Sequence, residues 1–381
     1  MIKKKLIHPV KRRIAKYYLS FLRKFFGLKV IGITGSAGKT TTKEMLASTL
    51  KLKGRTVWSH ANIDPVYNIP TTILKCTPWS KYLILEMGVE YPNEMDFYLW
   101  LAKPNIGVIT NIYQTHTEFL EDVEGVAEEK GKLLTALGEL NFAVLNKEDL
   151  KLRKMVEGAK AKIIWFGERG DVRARDVVLN EGGTTEFILN IGPKKFKAKI
   201  PILGEQFVEN ALAAAAVARV LGVSAKLIIQ GLANFQRQEH RMNVFRHISG
   251  AIIVDDSYNS NPAAVKETLK TFLQIGARKH KIVVLGDMLE LGKYTKKSHQ
   301  ELGRLISGLG IDFLIGVGKA AKIMTEEAQK RMGSGRVKVF ASRKKVYPFI
   351  KRFFKSGNII LIKASRSIGL DKLALRLEKG I

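Results

Sequence analysis

The chain has 381 residues, 46% of them hydrophobic and 26% charged, enough for two or three domains of ordinary globular composition. Its 64 Lys and Arg against 35 Asp and Glu give a formal net charge of +29, which attracts polyanions without choosing among nucleic acid, anionic lipid and phosphorylated substrates. A single cysteine, Cys76, excludes an internal disulfide framework and a cysteine-based zinc site, and it suits a reducing, cytoplasmic setting.

Residues 1–28 carry nine Lys or Arg and no acid; the first carboxylate is Glu44. Val10, Ile14, Tyr17, Tyr18, Phe21, Leu22, Phe25 and Phe26 fall at helical spacing, which predicts a basic amphipathic helix. The uninterrupted apolar core and small-residue cleavage site of a signal peptide are missing. No later run is long enough to span a membrane. Two readings of the helix stand: it lies on an anionic membrane surface, making the chain membrane-peripheral, or it docks its stripe on the protein's own body.

From Lys29 onward strand-like and helix-like pieces alternate, as in a mostly parallel α/β sheet with crossover helices. Strands are predicted at 30–34, 56–59, 82–86, 106–111, 143–146 and 163–166, with helices at 41–52, 92–102, 123–136 and 150–158. Residues 172–203 read instead as a hairpin appendage around Gly182-Gly183 and Gly192-Pro193, and 209–221 as a helix on its alanine content. A second unit, Rossmann-like but without a G-x-G-x-x-G, begins near Arg241. Its strands are predicted at 251–255, 281–285, 313–317, 337–340 and 358–363, and its helices at 263–274, 297–307, 320–331, 344–354 and 371–379. The predicted organisation is a basic helical segment over 1–28, a central P-loop ATP-binding domain over 29–238 and a C-terminal Rossmann-like α/β domain over 239–381.

Residues 29–42, KVIGITGSAGKTTT, organise the chemistry. An apolar strand breaks into Gly35-Ser36-Ala37-Gly38, and Lys39-Thr40-Thr41-Thr42 opens a helix. Backbone N–H groups and the positive helix end can cradle phosphates, with Lys39 on the terminal phosphates and the Thr40 hydroxyl on Mg²⁺. Ile33 stands where a longer P-loop has its first glycine, so this is the shorter G-x-x-G-K-T form. Glu86 ends a predicted strand at the carboxyl edge of the same sheet, where a Mg²⁺ ligand is needed. Unaided, His116 reads as a structural histidine and Lys130 as ordinary helix surface. In the second unit, DDSYNSNP (255–262), GDMLELG (286–292) and KASR (363–366) follow strands on one edge. Such polar loops face a ligand or serve as turns and helix caps.

With these motifs in this order, together with ITNIYQTH (109–116) and NALAAAAVA (210–218), the chain resembles the Mur ligases over about residues 29–381. DDSYNSNP, GDMLELG and KASRS point to the MurF branch, whose members add D-alanyl-D-alanine to a UDP-muramoyl tripeptide in peptidoglycan precursor synthesis. The resemblance implies an ATP-dependent peptide ligase that phosphorylates a substrate carboxylate and lets an amine displace the phosphate. It places Gly35, Ser36, Ala37, Gly38, Lys39, Thr40, Thr41, Asn210, Arg241 and Asp256 around ATP. Asn259, Asn261, Ser365 and Arg366 fall on the substrate side. One Mg²⁺ falls to Thr40 and Glu86, and a second to His116 and a carbamylated Lys130; Lys39, Lys130 and His116 are the implied catalytic residues.

Departures from the family pattern are Gln206-Phe207 in place of His-Asn, and Lys132 where an acid is usual. Members of the branch also begin with a domain of about a hundred residues that holds the UDP-sugar, whereas 28 residues precede the P-loop here. The partners that the resemblance implies are a UDP-sugar-peptide and D-alanyl-D-alanine, with no specific nucleic acid. The alternatives are the same chemistry on another peptide, as in pseudomurein or polyglutamate ligases, or a nucleotide-dependent protein that binds nucleic acid or membrane.

Overall fold

The computed structural model describes residues 8–60, 63–180 and 182–379; residues 1–7 of the predicted N-terminal segment lie outside these. Two sheets form the scaffold. The first has nine strands: β1 (Lys29–Thr34), β2 (Thr56–Trp58), β3 (Tyr82–Glu86), β4 (Ile106–Ile109), β5 (Phe142–Asn146), β6 (Lys162–Phe166), β7 (Val172–Asn180), β8 (Thr184–Ile191) and β9 (Lys194–Ile200). Their order is β2-β3-β1-β4-β5-β6-β7-β8-β9, parallel through β7 and antiparallel thereafter. β1 sits between β3 and β4, with Ile33 opposite Glu86 and Thr34 opposite Ile109. The carboxyl ends of three neighbouring strands thus converge on the P-loop, at the edge where open parallel sheets bind ligands.

The predicted hairpin appendage is corrected. β7 pairs directly with β6, so β7–β9 extend the main sheet. Their inner residues Val172, Phe187, Leu189, Ala198 and Ile200 are buried in its core. A bulge between Arg175 and Val178, with Asp176 at positive φ, supplies the local bend.

Helix α2 (Lys39–Lys51) runs back from the P-loop and packs against α7 (Glu205–Val220) and α8 (Ala225–Ala233). Ala211 and Ala213–Ala216 are wholly buried, and only such short side chains let α7 lie this close to its neighbours. α7 starts four residues before the predicted helix, and α8 was not anticipated. Nor was α3 (Pro65–Ile73), because Pro65 and Pro70 read as helix breakers; Pro65 instead occupies the first turn behind the Asp64 cap, where no N–H is needed. The 106–111 strand ends at Ile109, and Thr110 and Asn111 leave it to bond the P-loop.

The second sheet has the order β10-β11-β15-β12-β13-β14, built from β10 (Asn243–Arg246), β11 (Ile252–Asp255), β12 (His280–Gly286), β13 (Phe313–Val317), β14 (Val337–Phe340) and β15 (Asn358–Lys363). It is parallel except for β10, an unanticipated antiparallel edge strand. The helix predicted at 344–354 is broken into two 3₁₀ turns around α12 (Val346–Ile350), which contains Pro348.

α1 (His8–Phe26) packs on α3 and α4 (Glu94–Ala102), with Ala15, Leu19 and Leu22 buried. The single predicted stripe proves to be two faces: Tyr18 and Leu22 turn inward, while Val10, Ile14, Tyr17, Phe21, Phe25 and Phe26 are exposed. No helix among the described residues is long and apolar enough to cross a membrane.

Candidate active site

The P-loop is held by its neighbours before any ligand arrives. Asn111 Oδ1 accepts from the Ala37 N–H at 2.8 Å, and the Thr110 hydroxyl donates to the Ala37 carbonyl at 2.6 Å. Ser36 exchanges hydrogen bonds with the Tyr113 backbone, donating at 3.0 Å and accepting at 2.8 Å. Two glycines are required by space as well as by dihedral. A Cβ on Gly35 (φ +138°) would lie 2.0 Å from Thr110 Oγ1, and one on Gly38 (φ +82°) would lie 2.2 Å from Asn210 Oδ1. Lys39 Nζ donates to the Gly35 carbonyl at 2.8 Å, folded over the loop whose phosphate it would hold. Burial pushes the Lys39 pKa down, and the Arg241 charge adds to this against the pull of Glu86.

Thr40 and Glu86 meet as predicted: the hydroxyl donates to Glu86 Oε1 at 2.8 Å. The other carboxylate oxygen lies 3.1 Å from Nζ of Lys43, a fully buried lysine. Burial alone would raise the Glu86 pKa; the charges of Lys43 and Lys39 and the Thr40 hydrogen bond outweigh it and hold the carboxyl below its usual range. Among the described residues no cluster of three His, Cys, Asp or Glu could by itself hold a metal. One hydroxyl and one ionised carboxylate beside a phosphate site suit Mg²⁺, which takes few protein ligands and completes its shell with phosphate and water.

A cleft of about 430 Å³ opens beside the P-loop, walled by Asn111, Asn210 and Glu209 on one side and Arg241, Asp256 and Asn259 on the other. A neighbouring cavity of about 320 Å³ shares Lys39, Thr40, Glu86, Glu90, His116 and Tyr258 with it and adds Asp64 and Arg366. Lys39, Thr40 and Glu86 therefore stand at the seam between two chambers, and both sheets contribute walls.

His116 (φ +55°) sits at this seam, its Nδ1 2.6 Å from Glu290 Oε2 on a loop of the second sheet, which leaves Nε2 for another ligand. Lys130, on α5 (Val123–Thr135), is not helix surface but wholly buried, and its amine has no hydrogen-bond partner among the described residues. It lines neither chamber. Desolvation first, and then the Lys39 charge, push its pKa well below the ordinary value, against the opposing pull of Glu129, Glu94 and Glu90. An amine whose charged form is disfavoured by burial, and which has no partner among the described residues, would suit carbamylation, which would give a hard metal the oxygen donors that the charged lysine lacks. Lys132 bridges Asp96 and Glu129 at 2.6 and 2.7 Å.

The second sheet's loops divide between the two readings. Asp256 accepts from Lys363 Nζ at 2.7 Å and from the Thr268 hydroxyl at 2.6 Å, while still lining the cleft. Asn261 lines the cleft and caps α9 (Pro262–Ile275) through the Ala264 N–H at 2.8 Å. Asp287 accepts from the Ala321 and Lys319 N–H groups and so serves the start of α11 (Lys319–Met332). Ser365 accepts from the Leu289 N–H at 2.9 Å and lines neither chamber, so it braces one loop against another. Arg241 and Arg366 both lie over the Tyr258 ring, at 4.3 and 4.9 Å from its centroid.

Several residues of the site escaped the sequence reading. Lys43, buried behind Glu86, follows Lys39 by one helical turn, a spacing that could have flagged it. Glu209 and Glu267 face the larger chamber from α7 and α9, and nothing local announces them. Burial, reinforced by Glu267 and Glu148, raises the Glu209 pKa to about 7.

Residues 33–218 match the Mur ligase middle domain, and residues 240–366 match the domain described as "Mur ligase, glutamate ligase domain". A Bacillus subtilis UDP-N-acetylmuramoyl-tripeptide–D-alanyl-D-alanine ligase is 33% identical over 362 residues, spanning 95% of this chain and 78% of that protein. Among solved structures, MurF from Acinetobacter baumannii superposes with a TM-score of 0.88 at 28% identity, covering 98% of this chain and 80% of the other. MurF ligase from Thermotoga maritima in complex with ADP gives 0.83 at 28% identity, over 96% of this chain and 84% of the other. The chain belongs to the Mur ligase family.

Proposed function

We propose that this chain joins D-alanyl-D-alanine to a UDP-muramoyl tripeptide, as the name of its relative states for that protein, and that it uses ATP to do so. The observation that carries the reading is the convergence of Lys39, Thr40 and Glu86 at the seam of two chambers walled by both sheets. Residues 29–238 supply the phosphate loop, and 239–381 supply the facing wall. ATP occupies the larger chamber, with its terminal phosphate at the seam. The substrate carboxylate enters from the smaller one.

A carboxylate oxygen attacks the γ-phosphorus and ADP leaves, which makes an acyl phosphate. The incoming amine then bonds to the carbonyl carbon, and the tetrahedral adduct expels phosphate as the amine gives up a proton. Positioning and charge neutralisation account for most of the rate. Lys39, with the Gly38 amide and the first N–H groups of α2, holds the migrating phosphoryl oxygens, while Arg241 and Arg366, spaced by Tyr258, present positive charge from the opposite wall. Mg²⁺ at Thr40 and Glu86 would neutralise charge on the terminal phosphates. Lys130 Nζ adds CO₂ and loses a proton, and the resulting carbamate, with His116, would hold a second ion. Closure of the two walls excludes water from the acyl phosphate.

Phosphate release from ATP tests the reading. Release that requires both UDP-muramoyl-tripeptide and D-alanyl-D-alanine supports it. Dependence on a different amine or carboxylate would select a pseudomurein- or polyglutamate-type ligase, and turnover driven by DNA or lipid alone would overturn ligation.

A further inference from the structure

We propose that α1, together with the groove it makes with α4, is a docking surface for an anionic lipid bilayer. Val10, Ile14, Tyr17, Phe21 and Phe25 recur every three or four residues along α1, and all are exposed, Tyr17 by 72% and Phe25 by 64%. The Phe21 ring lies 5.1 Å from Phe25 and 5.7 Å from Phe26, so this end of the helix is a continuous apolar ridge.

The ridge is fixed facing outward. Ala15, Leu19 and Leu22 on the opposite face are buried against the body. Lys11 Nζ donates to the Thr71 hydroxyl at 2.8 Å, Tyr18 OH to the Cys76 carbonyl at 2.8 Å, and Arg23 to the Lys103 carbonyl at 2.5 Å. Turning the ridge inward would break all three of these bonds.

Charge and shape select the occupant. α1 carries six Lys or Arg and no acid. Beside it a groove of about 410 Å³ is lined by Lys16, Arg23, Lys24, Lys103 and Trp100, and no carboxylate lines it. Lys16 Nζ lies 4.2 Å from the Trp100 ring centroid, which holds the ammonium at the groove wall. A lipid phosphate fits the groove while Tyr17, Phe21 and Phe25 enter the boundary between headgroups and acyl chains. Nucleic acid would meet the cations and leave the ridge in water. A second copy would bring six further cations against these six.

Flotation of the full chain with vesicles of phosphatidylglycerol and phosphatidylcholine, beside vesicles of phosphatidylcholine alone, tests the proposal. Salt-sensitive binding to the anionic vesicles is expected, reduced at least about tenfold in Tyr17→Ser/Phe21→Ser/Phe25→Ser. Ligase turnover in solution should be unchanged in that variant. The single exposed change Phe25→Ser should give a smaller loss in the same direction, which keeps the test valid if the triple variant folds poorly. Equal binding by the variants would mean adhesion through overall charge and would overturn the proposal. So would failure of the unmodified chain to bind, or a dimer in sedimentation that the ridge substitutions abolish without any vesicle binding.

Discussion

The Thr40 hydroxyl donates to Glu86 Oε1 at 2.8 Å, and Lys43 Nζ holds the other oxygen of the same carboxylate at 3.1 Å. Glu86 therefore shares with Glu44, 3.3 Å from the same Nζ, the charge of a fully buried lysine, and under the proposed function it would also hold Mg²⁺. Glu86→Gln keeps the shape and removes the charge. Ligation should fall by at least about 100-fold, with a raised Mg²⁺ requirement. Denaturant melts should show a loss of up to about 3 kcal/mol, because Lys43 is left buried with only Glu44, at 3.3 Å, as a counter-charge. Adding Lys43→Met should restore stability without restoring activity. The lowered Glu86 pKa fixes the pH dependence: its stabilising contribution is present above the ordinary carboxylate pKa and is lost as pH falls through the folded one.

Lys130 gives the opposite pairing of stability and activity. A buried lysine with a depressed pKa gives up its proton at a lower pH when folded than when unfolded. The unfolded chain then binds the extra proton, and stability rises with pH up to the ordinary lysine value. Lys130→Met should raise stability at neutral pH by about 0.5–2 kcal/mol while abolishing ligation. Lys130→Ala should regain part of the ligation when bicarbonate and a short carboxylic acid are supplied. Thermal melts and the rescue assay together check this, and full activity in either unsupplemented variant would refute the assigned role.

The sequence revealed the phosphate loop and Glu86 because strand, glycine turn and helix are local, and because a parallel sheet brings the carboxyl ends of neighbouring strands to one edge. It could not reveal that Lys130 is buried, since Glu128, Glu129 and Lys132 around it read as surface and only the packing of α5 decides otherwise. Glu209 and Glu267 were hidden for the same reason: their proximity depends on how α7 and α9 meet. Asp287 and Ser365 were legible as polar loop residues, but sequence alone could not distinguish a ligand contact from the caps and braces that they form. The β7–β9 strands read as an appendage because short runs around glycines carry no signal of which strand they pair with.

Glu209 should tie stability to pH in the neutral range. Its folded pKa of about 7 lies above the ordinary glutamate value, so the folded state holds a proton that the unfolded state releases. Stability therefore falls as pH rises from the ordinary value toward 7 and levels off beyond it. Glu209→Gln should be more stable than the unmodified chain by about 1 kcal/mol or more above that range, and the difference should vanish in acid. A second consequence concerns the cleft. An ionised Glu209 adds negative charge where a polyanion binds, so KM for ATP should climb through this pH range in the unmodified chain and stay flatter in the variant.

Gly38 and Asn210 fit so closely that neither can change alone. A Cβ on Gly38 would lie 2.2 Å from Asn210 Oδ1, and the φ of +82° is costly for any other residue. Gly38→Ala should cost more than about 1 kcal/mol of stability and weaken ATP binding, because the loop must shift where its amides face the phosphates. Asn210→Gly in that background removes the steric clash but not the backbone strain. It should recover part of the stability and little of the nucleotide affinity, as read by thermal melts with and without ADP. Full recovery of both would show that the contact with Asn210, and not the left-handed turn, sets the shape of the loop.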